Sequence, residues 1–362
     1  MLCVILIAGY AWKTVPPPPR NVILPPVATS TDLTRIAPPT PVPGDASPAA
    51  PPAPTVAPPG RSPVSRPTLL IRHTAIDLSY GRLAVDFGTG DPASRQVTEF
   101  SCQQVHFARN RGVCLETRIG VLTTYVAILF DARFRPTTTL PLAGIPSRTR
   151  VSPDGQYAAV TVFVSGHSYG GTDFSTETQI IDSVSGKPVV ANLEQMEVWS
   201  AEGQRITALD FNFWGVTFAA DPNRFYASLG TGGVVYLVEG DVRANRMTVR
   251  RTGVECPSLS PDGTRLAFKK RMPGGGLPKW SLYVLDLATL TESAVAETRF
   301  IDEQVEWLDD TRILYTQAGR DGASPAITDV WIVPADGSGQ PALFLGEAAS
   351  PTVLRGSAAV SQ

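Results

Sequence analysis

The chain has 362 residues and a net charge of -2, and only 18% of its residues are charged. It carries no basic stripe of the kind that tracks a phosphate backbone, which argues against nucleic acid as a partner. Proline is the outlier: there are 33, and more than half lie between Pro16 and Pro67.

Residues 1–15, "MLCVILIAGYAWKTV", hold an apolar run from Leu2 to Trp12. It is short for a spanning helix, which needs about 20 residues. It reads as the apolar part of a signal sequence or as a membrane anchor, and whether it is cleaved is left open. A proline-rich stretch, 16–67, follows at once. That density sustains neither a helix nor a central strand, so the stretch reads as a disordered, extended spacer reaching at most about 150 Å. An apolar segment followed by a stalk is the order expected of a head held outside the cytoplasm on the bacterial cell membrane, or secreted if the segment is removed. From Thr68 aliphatic and aromatic residues return. Residues 68–356 form the folded head, and 357–362 are a tail.

The head repeats itself. One pattern is a tight turn followed by an apolar strand, clearest in "VSPDGQYAAVTV" (Val151–Val162) and "LSPDGTRLAFKK" (Leu259–Lys270). Looser copies run through Phe218–Leu229, Glu306–Gln317 and His106–Thr117. Proline presets the first turn position, aspartate bonds the backbone ahead, and glycine takes the positive φ. The other pattern is an aliphatic triplet closed by an acid, ending at Asp86, Asp131, Asp182, Glu239 and Asp286, with a degenerate sixth copy at Trp331–Pro334. The five acids recur at intervals of 45 to 57 residues, too long for a hairpin and right for a four-stranded propeller blade. Six triplets give six blades. The region before the first triplet lacks a turn repeat, and "EAASPTVLRGSAAV" at the far end has a strand but no triplet. The expectation is an all-β, six-bladed β-propeller, with the C-terminal strand completing the N-terminal blade.

"SPDGTRLAF" with "LYVLDLATL", and "VWIVPADGSG", resemble the repeats of TolB-type β-propellers over roughly Thr68 to Gly356. The order of short anchor, proline-rich spacer and propeller resembles the TolB-like translocation proteins of GC-rich bacteria. The resemblance implies an extracytoplasmic head that binds other proteins of the cell envelope, with no defined catalytic residues and no cofactor.

"VSGHSYGG" holds Gly166-x-Ser168-x-Gly170, the spacing of a serine-hydrolase nucleophile elbow. Of the three histidines, His73, His106 and His167, none follows Ser168, and no helix pattern comes after it. The motif reads as a chance match, and the chain as a non-enzyme. Between a second and a third strand it is instead an inter-strand loop, from which His167, Tyr169 and Phe174 are candidates for partner binding. The alternative function is a propeller enzyme of lyase or lactonase type, or a small-ligand sensor, working at the central channel.

Four cysteines are present, and their spacing fits no zinc site. Cys102 and Cys114 are candidate disulfide partners, close in sequence, although a tight hairpin near Asn110 would set Cys114 against position 106 or 107. That leaves a bulged turn, or a partner elsewhere such as Cys256. Phe211, Trp214 and Phe218 read as core. The acids Asp302, Glu303, Glu306, Asp309 and Asp310, and the basic cluster Lys269–Arg271, read as solvated strand ends and not as a cation site. The glycine-rich stretches Gly88–Pro92 and Pro273–Pro278 read as loops.

Overall fold

The structure, a computed structural model, describes residues 66–164, 175–273, 279–318, 324 and 326–355. They form six antiparallel blades arranged in a ring. The second blade runs, from the axis outward, Gln104–Ala108, Arg111–Arg118, Thr124–Asp131 and Pro136–Pro141. The third, fourth, fifth and sixth blades repeat this order, with innermost strands Ile145–Val151, Asn212–Phe218, Glu255–Leu259 and Glu306–Asp309. In the first blade the innermost strand is Ala348–Val353, from the far end of the chain; it pairs with Leu69–His73, ahead of Arg82–Asp86 and Gln96–Ser101. The expected closure is therefore present, and Leu354 donates to the Thr68 carbonyl at 3.1 Å to finish it.

Every turn repeat joins an innermost strand to the second strand, and every triplet lies on a third strand. The local chemistry explains both. In the Ser152–Tyr157 turn, Asp154 Oδ1 accepts from the Ser152 hydroxyl at 2.6 Å and from the Gln156 amide at 3.0 Å, while Gly155 sits at φ +77°. The Ser260–Arg265 turn repeats this arrangement, and the Ser260 hydroxyl together with the Thr264 amide holds Asp262 down to about 2. The acid that closes each triplet caps the turn into the outer strand. Asp131 accepts from the Arg133 and Arg135 amides, Asp182 from Val184 and Ser185, and Asp286 from Ala288 and Thr289. In the fourth blade Asp241 does this work, accepting from Ala244, and Glu239 instead pairs with Arg224.

Six buried apolar clusters lie one at each blade–blade contact. Strands buried on both faces need no polar alternation, which is why "YAAVTVFV" reads as a continuous apolar run. Phe213 and Phe218 sit in the cluster between the third and fourth blades, with Phe211 packed on it, and Trp214 is buried as well. The contact between the first and sixth blades uses Ala348 and Val353 from the returning strand. Arg95 reinforces that seam from inside: its guanidinium donates to the carbonyls of Gly346 and Glu347 at 2.5 and 2.9 Å and approaches Asp86 at 3.5 Å.

Two features depart from the plain repeat. The fourth blade carries two extra strands, Glu197–Trp199 and Arg205–Ile206, the first lying parallel to the outer strand Arg246–Thr252. Cys102 and Cys114 are joined by a disulfide, Cα to Cα 5.3 Å. Within the hairpin Cys114 faces Val105. Cys102 is not in that hairpin: it sits at the corner between Gln96–Ser101 and Gln104–Ala108, where the chain crosses from the first blade to the second. It reaches Cys114 from outside the strand pairing, so no bulge is needed.

Ring closure and the disulfide each yield a measurable expectation. Deleting residues 348–355 leaves the seam uncovered and abolishes the cooperative thermal transition of the head. Moving the same residues ahead of Thr68 through a short turn restores it. Cys102→Ser lowers stability by about 2–4 kcal/mol, the usual worth of a closed loop of this size. The comparison is denaturant midpoints with and without reductant; the variant shows no reductant effect.

Candidate functional site

The topology gives the head two distinct ends. The inner-to-second turns, the third-to-fourth turns, Thr68 and Arg355 all lie at one end of the ring, here the turn face. Connections between second and third strands, and crossings between blades, lie at the other, the loop face.

At the turn face the innermost strands converge on a cavity of about 460 Å³. Each strand brings a polar residue to the equivalent position, two residues before its turn position: His106, Arg150, Thr217, Ser258, Glu306 and Thr352. An apolar residue follows in every case: Phe107, Val151, Phe218, Leu259, Trp307 and Val353. This register is visible once the turn copies are aligned, and it is the signal that reading each acid singly missed.

The polar residues bind one another across the axis. Arg150 donates to Glu306 Oε2 at 2.5 Å, to Ser258 Oγ at 3.1 Å and to the Val305 carbonyl at 2.9 Å. Arg355 donates to Glu306 Oε1 at 3.2 Å and to the Trp307 carbonyl. The Val151 amide donates to His106 Nδ1 at 3.0 Å, so the ring proton belongs on Nε2, which faces Glu306 Oε2 at 3.8 Å. Burial, and then the Arg150 charge, push His106 down to about 4. Burial alone would raise the Glu306 carboxyl, but the His106 contact and the charges of Arg150 and Arg355 outweigh it and hold it well below the usual carboxylate range. Glu306 is thus an axial anion and not a solvated strand end: it opens an innermost strand, whose inward side chains face the channel. Lys269 is corrected in the same way. It is buried, and its ammonium donates to Asp302 Oδ1 at 2.7 Å and lies over the Trp280 ring.

At the loop face the chemistry is apolar. Sixteen large hydrophobic side chains stay exposed among the described residues, and eleven of them lie on this face, which marks it as the less water-suited end. Ile76 and Leu78 project from the first blade, and Ile119, Val121 and Leu122 from the second; Leu78 is 98% exposed and Val121 105%. Leu209, Met272 and Phe300 add to the same face. His167, Tyr169 and Phe174 lie outside the described residues, between the strands Tyr157–Val164 and Ser175–Asp182, and so does the Gly166-x-Ser168-x-Gly170 motif. No group of three or more metal-ligating side chains converges among the described residues.

The axial network carries a pH signature. Below about 6.5 the unfolded chain takes up a proton on residue 106 that the folded head refuses until about 4, so stability falls as pH drops through that window. Glu306, with its folded value depressed, adds stability that is present above the unfolded carboxyl value and lost as pH falls further. His106→Asn, which keeps an acceptor for Val151, removes about 3 kcal/mol of the loss between pH 6.5 and 4. Chemical denaturation across that range measures it.

The chain matches no family model and no curated protein. Among solved structures it resembles TolB from Acinetobacter baumannii, with a TM-score of 0.54 and 16% identity over 79% of this chain. This chain spans 66% of the length of that protein. A putative TolB from Agrobacterium tumefaciens aligns with a TM-score of 0.47 and 13% identity, over 79% of this chain and 91% of that one. An oligogalacturonate lyase in complex with manganese aligns at 0.43 and 12%, over 70% and 72% of the two chains. At these identities likeness speaks of fold alone, and the fold is that of a TolB-like six-bladed β-propeller.

Proposed function

We propose that the chain is a membrane-tethered, extracytoplasmic scaffold that captures a protein partner of the cell envelope without chemistry. Residues 1–15 insert in the membrane, 16–67 act as the spacer, and the propeller presents its loop face to the partner. The observation that carries this reading is the gathering of exposed apolar side chains on that face, above all Ile76, Leu78, Ile119, Val121 and Leu122 at the tips of adjacent blades. Apolar side chains held in water at neighbouring loop tips gain free energy when a partner covers them. His167, Tyr169 and Phe174 belong to the connection of the next blade and extend the proposed surface.

A second reading, a propeller enzyme of lyase or lactonase type or a small-ligand sensor, draws on the convergence of Arg150, Glu306 and Arg355 at the axis. Its enzymatic form fits the geometry less well. Both imidazole nitrogens of His106 are turned to protein groups, and Glu306 is neutralised by two guanidiniums, so neither is poised as a base.

Photo-crosslinking residues at Leu78 and Leu122 test the scaffold, with Val184 on the turn face as control. In the intact envelope the first two positions give a discrete protein adduct and the third does not. Equal labelling at all three, or adducts to lipid alone, overturns the reading. Removing residues 1–15 shifts the head from the membrane pellet to the soluble fraction; a head that stays in the pellet contradicts the tether.

A further inference from the structure

We infer that the cavity at the turn face is a binding site for an organic carboxylate with an apolar body. It lies at the end of the ring opposite the proposed partner surface, so either reading can fail without the other. Its volume, about 460 Å³, falls within the ordinary range of small-molecule sites. The wall is apolar, through Phe107, Val151, Phe218 and Leu259.

The charge around it does not balance. Arg150 and Arg355 share a single carboxylate, Glu306. His106 supplies no negative charge, being neutral with its proton on Nε2. Asp262, the other acid at the cavity, is engaged by Arg265, which lies outside the lining, at 3.6 Å. Arg109 lines the mouth, is exposed, and has no carboxylate partner among the described residues. It occupies the same place in its turn as Arg355 does beyond Ala348–Val353, the innermost strand of the first blade. Three arginines against two acids therefore leave the lining one positive charge in excess, at the rim of an apolar cup. A low-dielectric wall strengthens that field, and a guanidinium presents paired donors that match a carboxylate. A neutral apolar molecule would fill the cup without meeting the charge, and a cation would be repelled.

Calorimetric titration of the full chain with sub-micellar decanoate, decanol and decylammonium tests the site. Decanoate binds with one-to-one stoichiometry, decanol at least 10-fold more weakly, and decylammonium without measurable heat. Arg109→Gln weakens decanoate about 5- to 10-fold. Ala220→Trp, an exposed lining position outside the ion-pair network, blocks the mouth and abolishes binding while leaving the melting temperature unchanged. Leu122→Asp, on the loop face, leaves binding intact. Equal affinity for decanol and decanoate, binding that survives Ala220→Trp, or no decanoate heat at millimolar concentration overturns the proposal.

Discussion

The head depends on a covered edge. Each blade is a twisted sheet with both faces apolar, so it must be flanked on both sides to keep those faces from water. Five of the six contacts are made by blades consecutive in the chain. The sixth cannot be, and it forms only because Ala348–Val353 returns to pair with Leu69–His73. Strand pairing supplies the hydrogen bonds at this seam, and Arg95 adds a buried clamp to the crossing from the sixth blade. The same closure gives the first blade an innermost strand like those of the others, so that its edge faces the axis and not another chain.

Closure brings six innermost strands around one axis, and that placement dictates their inward chemistry. Side chains on the blade faces are buried by neighbours, but those that point along the axis meet one another across a space they do not fill. Polar residues there are tolerable only when they satisfy one another. His106, Arg150, Ser258, Glu306 and Arg355 do so, while Thr217 accepts from the Leu259 amide at 3.1 Å. The network is a consequence of the ring before it is a site. It also ties the second, third, fifth and sixth blades, and the residue after the closing strand, to a common set of bonds. Because it holds a neutral imidazole beside a fixed anion, it makes the fold sensitive to acid.

Much of this was legible in the residues because the repeat acts locally. The Ser-Pro-Asp-Gly turns and the triplets with their acid each satisfy backbone groups within a few residues, so blade number, strand order and closure could be read from spacing. Features that depend on distant residues could not. Glu306 looks like one of several acids in a run; only the convergence of strands from three other blades makes it an axial anion. Cys102 looked misplaced for Cys114 because a hairpin was the only local frame, whereas the chain crosses between blades at that residue. The extra strands at Glu197–Trp199 and Arg205–Ile206 left a trace that local reading passed over. They fall in the interval between Asp182 and Glu239, the longest of the series at 57 residues.

The topology also gives the head a direction. Thr68, where the proline-rich stretch joins, and Arg355, where the closing strand ends, meet on the turn face, beside the charged cup. The exposed apolar tips of the first two blades are on the other face, the length of a strand away. A chain held through residue 68 therefore carries its tips on the side away from the attachment, and its cup on the near side. A partner covering the tips would leave the cup open, and a small anion in the cup would leave the tips bare. The second strands run from one surface to the other: Arg111–Arg118 begins at the turn that bears Arg109 and ends at the tip that holds Ile119, Val121 and Leu122. A ligand's charge at Arg109 would act on the turn that opens this strand, and so on the tip at its far end.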